Sequence, residues 1–215
     1  MPSRLRPTSS LAAEAILVGD PGRALLLAQE LLEQPKMSNH ARGLWGYTGQ
    51  AATGRELTVQ STGMGGPSAA IVLADLAKLG VRRAIRVGTC TALDPKLAPG
   101  QLVLVTEAHT WSGGGAGEPV YPDPELTASL RRQLDAHEAA VASLDTLHRG
   151  GTQAPVEAGD AADMQTASLL ARGAELGMAL AAVLIVAESA AGETLADELA
   201  EDAAKRAGKA AGAAI

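Results

Sequence analysis

The chain has 215 residues, 47% of them hydrophobic and 20% charged, which is enough to bury one large core. A net charge of −6, no Lys/Arg cluster and 2% aromatics leave neither the basic footprint nor the stacking platform of a nucleic-acid binder. One cysteine, Cys90, excludes an internal disulfide, and no apolar run reaches membrane-spanning length.

In chain order, AEAILV (13–18) predicts a short apolar strand closed by the turn Gly19-Asp20-Pro21-Gly22. RALLLAQELLEQ has the Leu spacing of a helix. Residues 44–61 predict a hairpin with a Gly-containing connection. The run 61–93, STGMGGPSAAIVLADLAKLGVRRAIRVGTCTAL, then holds a strand end, a Gly-rich turn, an amphipathic helix and a second strand. This is the grammar of a βαβ unit. LVLVTEAHTW (102–111) predicts another buried strand, followed by the loop SGGGAGEPVYPDP and the helix ELTASLRRQLDAH. AAVASLDTLHR predicts a strand and GGTQAPVEAGDAA a loop. DMQTASLLARGAELG is a helix, ALAAVLIVAES a fully buried strand, and the Ala-rich tail from Glu193 a closing helix. The strands are mostly continuous apolar runs, as in an α/β sheet covered on both faces. Neither a linker nor a repeat interrupts the pattern, so a single domain over 1–215 is expected. The lone cysteine and the lack of an apolar leader in residues 1–10 point to the cytoplasm.

Chemistry concentrates in the 61–93 run. Its turn brings backbone N–H groups to a helix start, with Pro67 in the first turn where a missing N–H is harmless. The strand AIRVGT buries Arg86 among apolar neighbours and ends on Thr89. An arginine so placed needs an anionic partner, because an unpaired buried charge is costly. An anion site at the carboxyl end of a sheet is the result. Cys90 has no visible base partner and reads as a core thiol. His40, His109, His137 and His148 show no metal-ligand spacing, and the dinucleotide fingerprint GxGxxG is absent.

Together with GDPGRA (19–24), NHARGLWGYTG (39–49) and DMQTASLLARGAELG, the 61–93 run resembles the nucleoside phosphorylase family that includes hexameric purine nucleoside phosphorylase and uridine phosphorylase. The family motifs run close to GDPxRA, VRGxxGYTG, GxGMGxPS, RxGTxGA and EMExAxxxxxAxxxG. All five recur here in that order over roughly residues 14–189. The resemblance implies an α/β fold around a mixed, partly barrel-like central sheet flanked by helices. It also implies phosphorolysis of a nucleoside to free base and ribose 1-phosphate, with inorganic phosphate as co-substrate and no other cofactor or metal.

Residue by residue, the resemblance places phosphate at Gly19, Arg23, Arg42, Arg86 and Thr89. Three guanidiniums suit a dianion, since each presents a planar fork of donors. Met64, Met164 and Gln165 fall where the family holds the ribose. The family has Glu at the last position; the neutral Gln165 cannot bring negative charge to a developing oxocarbenium ion. Glu188 falls near the family's base-protonating carboxylate, while Cys90 and Asp163 are further candidates for base contact. Arg86 and Glu188 form the expected catalytic pair, one acting on the nucleophile and the other on the leaving base.

Purine nucleosides are slightly favoured over uridine, because the segment that reads uracil in relatives is shortened here. Arg149 and Gln153 are its only mimics. The family completes its site with a histidine from a neighbouring subunit; residues 1–12 offer only Arg4 and Arg6 instead. A homo-oligomer, dimer or hexamer, is expected, with the surface around Leu44, Trp45 and Tyr47 as a contact. Two other readings stay open. One is a nucleosidase using water in place of phosphate. The other is a catalytically weakened protein that binds nucleosides or sugar phosphates.

Overall fold

The computed structural model describes residues 4–112, 115–145 and 159–215. Strand β1 (Glu14–Val18) leads through the Asp20 turn into helix α1 (Pro21–Leu31), where the Asp20 carboxylate accepts the Arg23 N–H at 2.8 Å. Strand β2 (Leu32–Asn39) follows, then a single 3₁₀ turn (Ala41–Gly43) and the hairpin of β3 (Gly46–Ala51) and β4 (Glu56–Ser61). The Gly-rich turn opens helix α2 (Gly66–Lys78), which returns to strand β5 (Arg83–Ala92). β1 lies between β4 and β5 and is parallel to both, so the expected βαβ unit is present.

Strand β6 (Leu102–Ser112) carries a short hairpin partner, β7 (Gly115–Ala116). Helix α3 (Pro124–Gln133), strands β8 (His137–Leu144) and β9 (Ala161–Asp163), helix α4 (Thr166–Glu175), strand β10 (Ala179–Glu188) and helix α5 (Asp197–Ala214) complete the described chain. The main path of the sheet is β10-β6-β8-β9-β5-β1-β4-β3-β2, and β10 also pairs β5. That second pairing closes β5, β10, β6, β8 and β9 into a five-stranded ring, from which β1, β4, β3 and β2 extend as an open wing. Parallel and antiparallel pairs are mixed. The mixed, partly barrel-like sheet flanked by helices is therefore observed.

Apolar side chains cover both faces. Leu73, Leu76, Leu169 and Leu184 lie in one core, under α2 and α4; Ile16, Leu27, Ile85, Leu126 and Leu130 lie in the other, under α1, α3 and α5. The Ala-rich composition of α5 has a packing reason. Ala203, Ala204, Ala207, Ala211 and Gly208 are buried against the core, and a Cβ on Gly208 would stand 2.7 Å from Leu27 Cδ2. Small residues let this helix lie close to α1. Among the described residues, no helix is long and apolar enough to cross a membrane.

Four local expectations change. LEQPKMSN is an edge strand; Pro35 and Gln34 (φ 45°) sit where its pairing with β3 is irregular, a position in which proline is tolerated. The third helix stops at Gln133, and His137 already begins β8. Ala161 and Ala162, expected in a loop, and Asp163, expected to open the next helix, form β9 and bridge β8 to β5. Leu44 and Tyr47 are core residues, 8% and 5% exposed, rather than the contact surface expected of the hairpin.

Candidate functional site

The carboxyl ends of β1 and β5 open onto a cleft of about 540 Å³. Four segments build its walls. The β1–α1 turn supplies Gly19, Asp20, Pro21 and Arg23; the Gly-rich turn supplies Gly63, Met64 and Gly65. Strand β5 supplies Arg86, Gly88 and Thr89, and the segment entering α4 adds Met164 and Gln165. Seven predicted site residues meet here: Gly19, Arg23, Met64, Arg86, Thr89, Met164 and Gln165. Parallel strands put their loops on one edge, which is why distant turns converge.

Arg86 is the most constrained of them, 5% exposed. Its Nε donates to Thr166 Oγ1 at 3.1 Å, Nη1 to Gln165 Oε1 at 2.7 Å and Nη2 to Asp163 Oδ2 at 3.0 Å. The anionic partner demanded by its burial is thus a protein carboxylate. These bonds use three of the five guanidinium donors. Gly88 makes room for the ring of contacts: a Cβ there would stand 2.6 Å from both Cζ and Nη2 of Arg86. Arg23 stands near enough to feel the same charge. Burial lowers its pKa from the ordinary value, Asp20 opposes the shift, and Arg86 adds to it.

Gln165 is 3% exposed and its amide is fully engaged. Besides Arg86, Oε1 accepts from Thr62 Oγ1 at 3.3 Å; Nε2 donates to the carbonyls of Gly63 and, at 3.4 Å, Gly65. The side chain ties α4 to the Gly-rich turn. Met64, by contrast, is 86% exposed at the rim.

Four predicted residues lie elsewhere. Arg42 is exposed on the 3₁₀ turn and outside the cleft, held at φ 61°, an uncommon region for a side-chain-bearing residue. Asp163, a candidate for base contact, does not line the cleft. It is 1% exposed and surrounded by donors: Ser143 Oγ at 2.5 Å, Thr166 Oγ1 at 2.6 Å, the Thr166 N–H at 3.0 Å and Arg86. Cys90 is also buried, its thiol directed to the Ile185 carbonyl at 3.6 Å. Burial, then the nearby Asp163 charge, pushes its pKa up to about 12, with Arg86 opposing. It is a core thiol and does not line the cleft. Glu188 ends β10 opposite Thr91 of β5, on the same sheet edge but outside the cleft lining.

Neither N-terminal arginine lines the cleft of its own chain. The Arg4 and Leu5 N–H groups bond Asp75 of α2, at 2.6 and 3.0 Å, and the Arg6 N–H bonds Asn39. Arg149 and Gln153 lie outside the described residues. Thr62, Ser143 and Thr166 escaped the sequence reading. Thr166 directly follows Gln165 in DMQT, so it was within reach; nothing marked Ser143.

Comparison with known proteins bears on the family and the fold. Residues 14–215 fit the family model described as the phosphorylase superfamily. The chain belongs to that superfamily. Among its relatives is a DeoD-type purine nucleoside phosphorylase of Alkaliphilus metalliredigens, 31% identical over 195 residues, covering 83% of each chain. A DeoD-type purine nucleoside phosphorylase of Caldanaerobacter subterraneus subsp. tengcongensis is 37% identical over 132 residues, 61% of this chain and 56% of the relative. The match therefore spans little more than half the length of that curated relative. In structure, the superfamily fold is shared with a purine nucleoside phosphorylase from Toxoplasma gondii solved with immucillin-H. The TM-score is 0.84 at 22% identity, over 95% of this chain and 91% of that one.

Proposed function

We propose that this chain catalyses phosphorolysis of a nucleoside, with purines favoured, to give the free base and ribose 1-phosphate. The observation that carries the reading is two buried or half-buried arginines, Arg23 and Arg86, in one cleft with Met64, Met164 and Gln165. A cleft that only had to admit water would need no such pair of cations. Phosphate would sit against both guanidiniums, the Thr89 hydroxyl and the Gly19 N–H. The methionines would pack on the sugar and Gln165 would orient it. Phosphate then attacks the anomeric carbon on the face opposite the base, inverting the configuration. Catalysis is by positioning and electrostatics, so phosphate is a co-substrate and no further cofactor is called for. Glu188, on the same sheet edge, is assigned to assist the leaving base.

Arg42 fits this scheme only through a second copy of the chain, because it lies outside its own cleft. Its unusual backbone conformation at an exposed position suits a residue held out toward a neighbour. A homo-oligomer, dimer or hexamer, follows from that assignment. A cytoplasmic setting suits the reduced, buried Cys90.

A specific observation also favours a weaker catalyst that mainly binds nucleosides or sugar phosphates. All the Gln165 amide groups are engaged within the protein, so gripping ribose hydroxyls would break existing bonds. Base release from a purine nucleoside and from uridine, each with and without inorganic phosphate, separates the readings. Phosphate-dependent release supports the phosphorylase, phosphate-independent release the nucleosidase, and ligand binding without release the binding protein.

A further inference from the structure

We propose, on the reading that the cleft binds inorganic phosphate, that Asp163 is a built-in counter-ion of the site, competing with the incoming anion for the charge of Arg86. The carboxylate lies on the side of the guanidinium that faces β8, β9 and α4. It accepts from Arg86 Nη2 at 3.0 Å, and no part of it lines the cleft. Its side chain is 0% exposed, so the pair is little screened by water. Each oxygen has several donors. Oδ2 takes Arg86, the Thr166 hydroxyl and the Thr166 N–H; Oδ1 takes Ser143 Oγ and the Gln165 N–H at 3.2 Å. A carboxylate so saturated has no donor left to seek in a ligand.

Two roles are open to such a group, and they differ in sign. As a mere brace, Asp163 would strengthen phosphate binding by aiming Arg86. Aiming Arg86 does not rest on the carboxylate alone: Thr166 Oγ1 also accepts from Nε and Gln165 Oε1 from Nη1, although Asp163 in turn accepts from the Thr166 hydroxyl and the Gln165 N–H. What Asp163 alone supplies is a negative charge. That charge stabilises a buried cation when the cleft is free of anion, and opposes a dianion arriving on the other side. Phosphate is then held loosely enough to be exchanged in each cycle, and the free protein tolerates a buried arginine.

The test is Asp163→Asn, which keeps shape and leaves the Ser143 hydroxyl free to turn and accept. Titration calorimetry with inorganic phosphate should show binding about tenfold tighter than wild type, the scale expected for one partly screened charge several ångströms away. Without phosphate the variant's Tm should fall, and phosphate should restore more of it than it adds to wild type. Ser143→Ala, which leaves the charge in place, should lower Tm without tightening phosphate. If Asp163→Asn is insoluble alone, folding in the presence of phosphate supports the proposal; equal failure with and without phosphate overturns it. Unchanged or weaker phosphate binding by a folded Asp163→Asn also overturns it. Should wild type itself bind no phosphate, the phosphorylase reading fails instead.

Discussion

Gln165 accepts a 2.7 Å hydrogen bond from Arg86 while its own amide protons face the carbonyls of Gly63 and Gly65. One side chain thereby couples Arg86 of β5 to the turn that walls the cleft. An amide serves here because it carries a donor and an acceptor on one plane; a carboxylate has only acceptors.

Gln165→Glu therefore places a carboxylate oxygen against two carbonyl oxygens in a buried site. We expect a loss of about 1–3 kcal/mol, the cost of leaving buried polar groups unsatisfied. Urea unfolding should show a lower midpoint with an unchanged m-value. A variant as stable as wild type would mean that the amide bonds to Gly63 and Gly65 are dispensable.

Arg86 and Arg23 should behave differently when removed. Arg86→Gln is expected to weaken phosphate binding by about 1.5–3 kcal/mol, the scale of a hydrogen bond to a charged group. It also strands Asp163, so stability falls with it. Arg23, which has no carboxylate ion pair among the described residues, should lose phosphate affinity on substitution by Gln with a smaller drop in Tm. Calorimetry and thermal melts on the two variants check the contrast.

Gly88→Ala tests the packing of the site. The new methyl would meet Arg86 Cζ and Nη2 at 2.6 Å and Leu184 Cδ2 at 2.7 Å. The guanidinium is fastened on three sides and cannot yield without breaking a bond. Phosphate binding should weaken by about tenfold or more, roughly 1.4 kcal/mol, alongside a lower Tm. Unaltered affinity would show that Arg86 can move freely.

Cys90 makes an alkaline prediction. Its folded pKa, pushed up to about 12, exceeds the ordinary thiol value of 9.0. The unfolded chain therefore loses this proton first, and stability contributed by the protonated thiol declines as pH rises from 9 toward 12. Burial raises the Tyr47 phenol as well, adding to the decline above 10. Cys90→Ala should flatten the slope of unfolding free energy against pH over that window. At neutral pH the native thiol should resist alkylation until the protein is unfolded.

Much of this was legible in the residues. Buried Arg86 announced an anionic partner, and the order of the Gly-rich turns announced one sheet edge as the site. The partner's identity was not legible, because Asp163 lies 77 residues away and belongs to a three-residue strand too short to show a period. Asp163 was placed at the base for want of that strand. The Leu44–Tyr47 surface was misjudged because apolar residues on a hairpin look alike whether they face a core or a neighbour. Gln165 was read as a lost charge; its donor bonds to Gly63 and Gly65 were invisible without the turn's backbone.

The proposed cleft chemistry delivers phosphate, rather than water, to a nucleoside. Phosphorus NMR of the protein incubated with a purine nucleoside and inorganic phosphate tests it most directly. A sugar 1-phosphate signal of inverted anomeric configuration is expected, appearing together with free base and abolished by Arg86→Gln. Free base released at the same rate without phosphate, and with no new phosphorus signal, would contradict it.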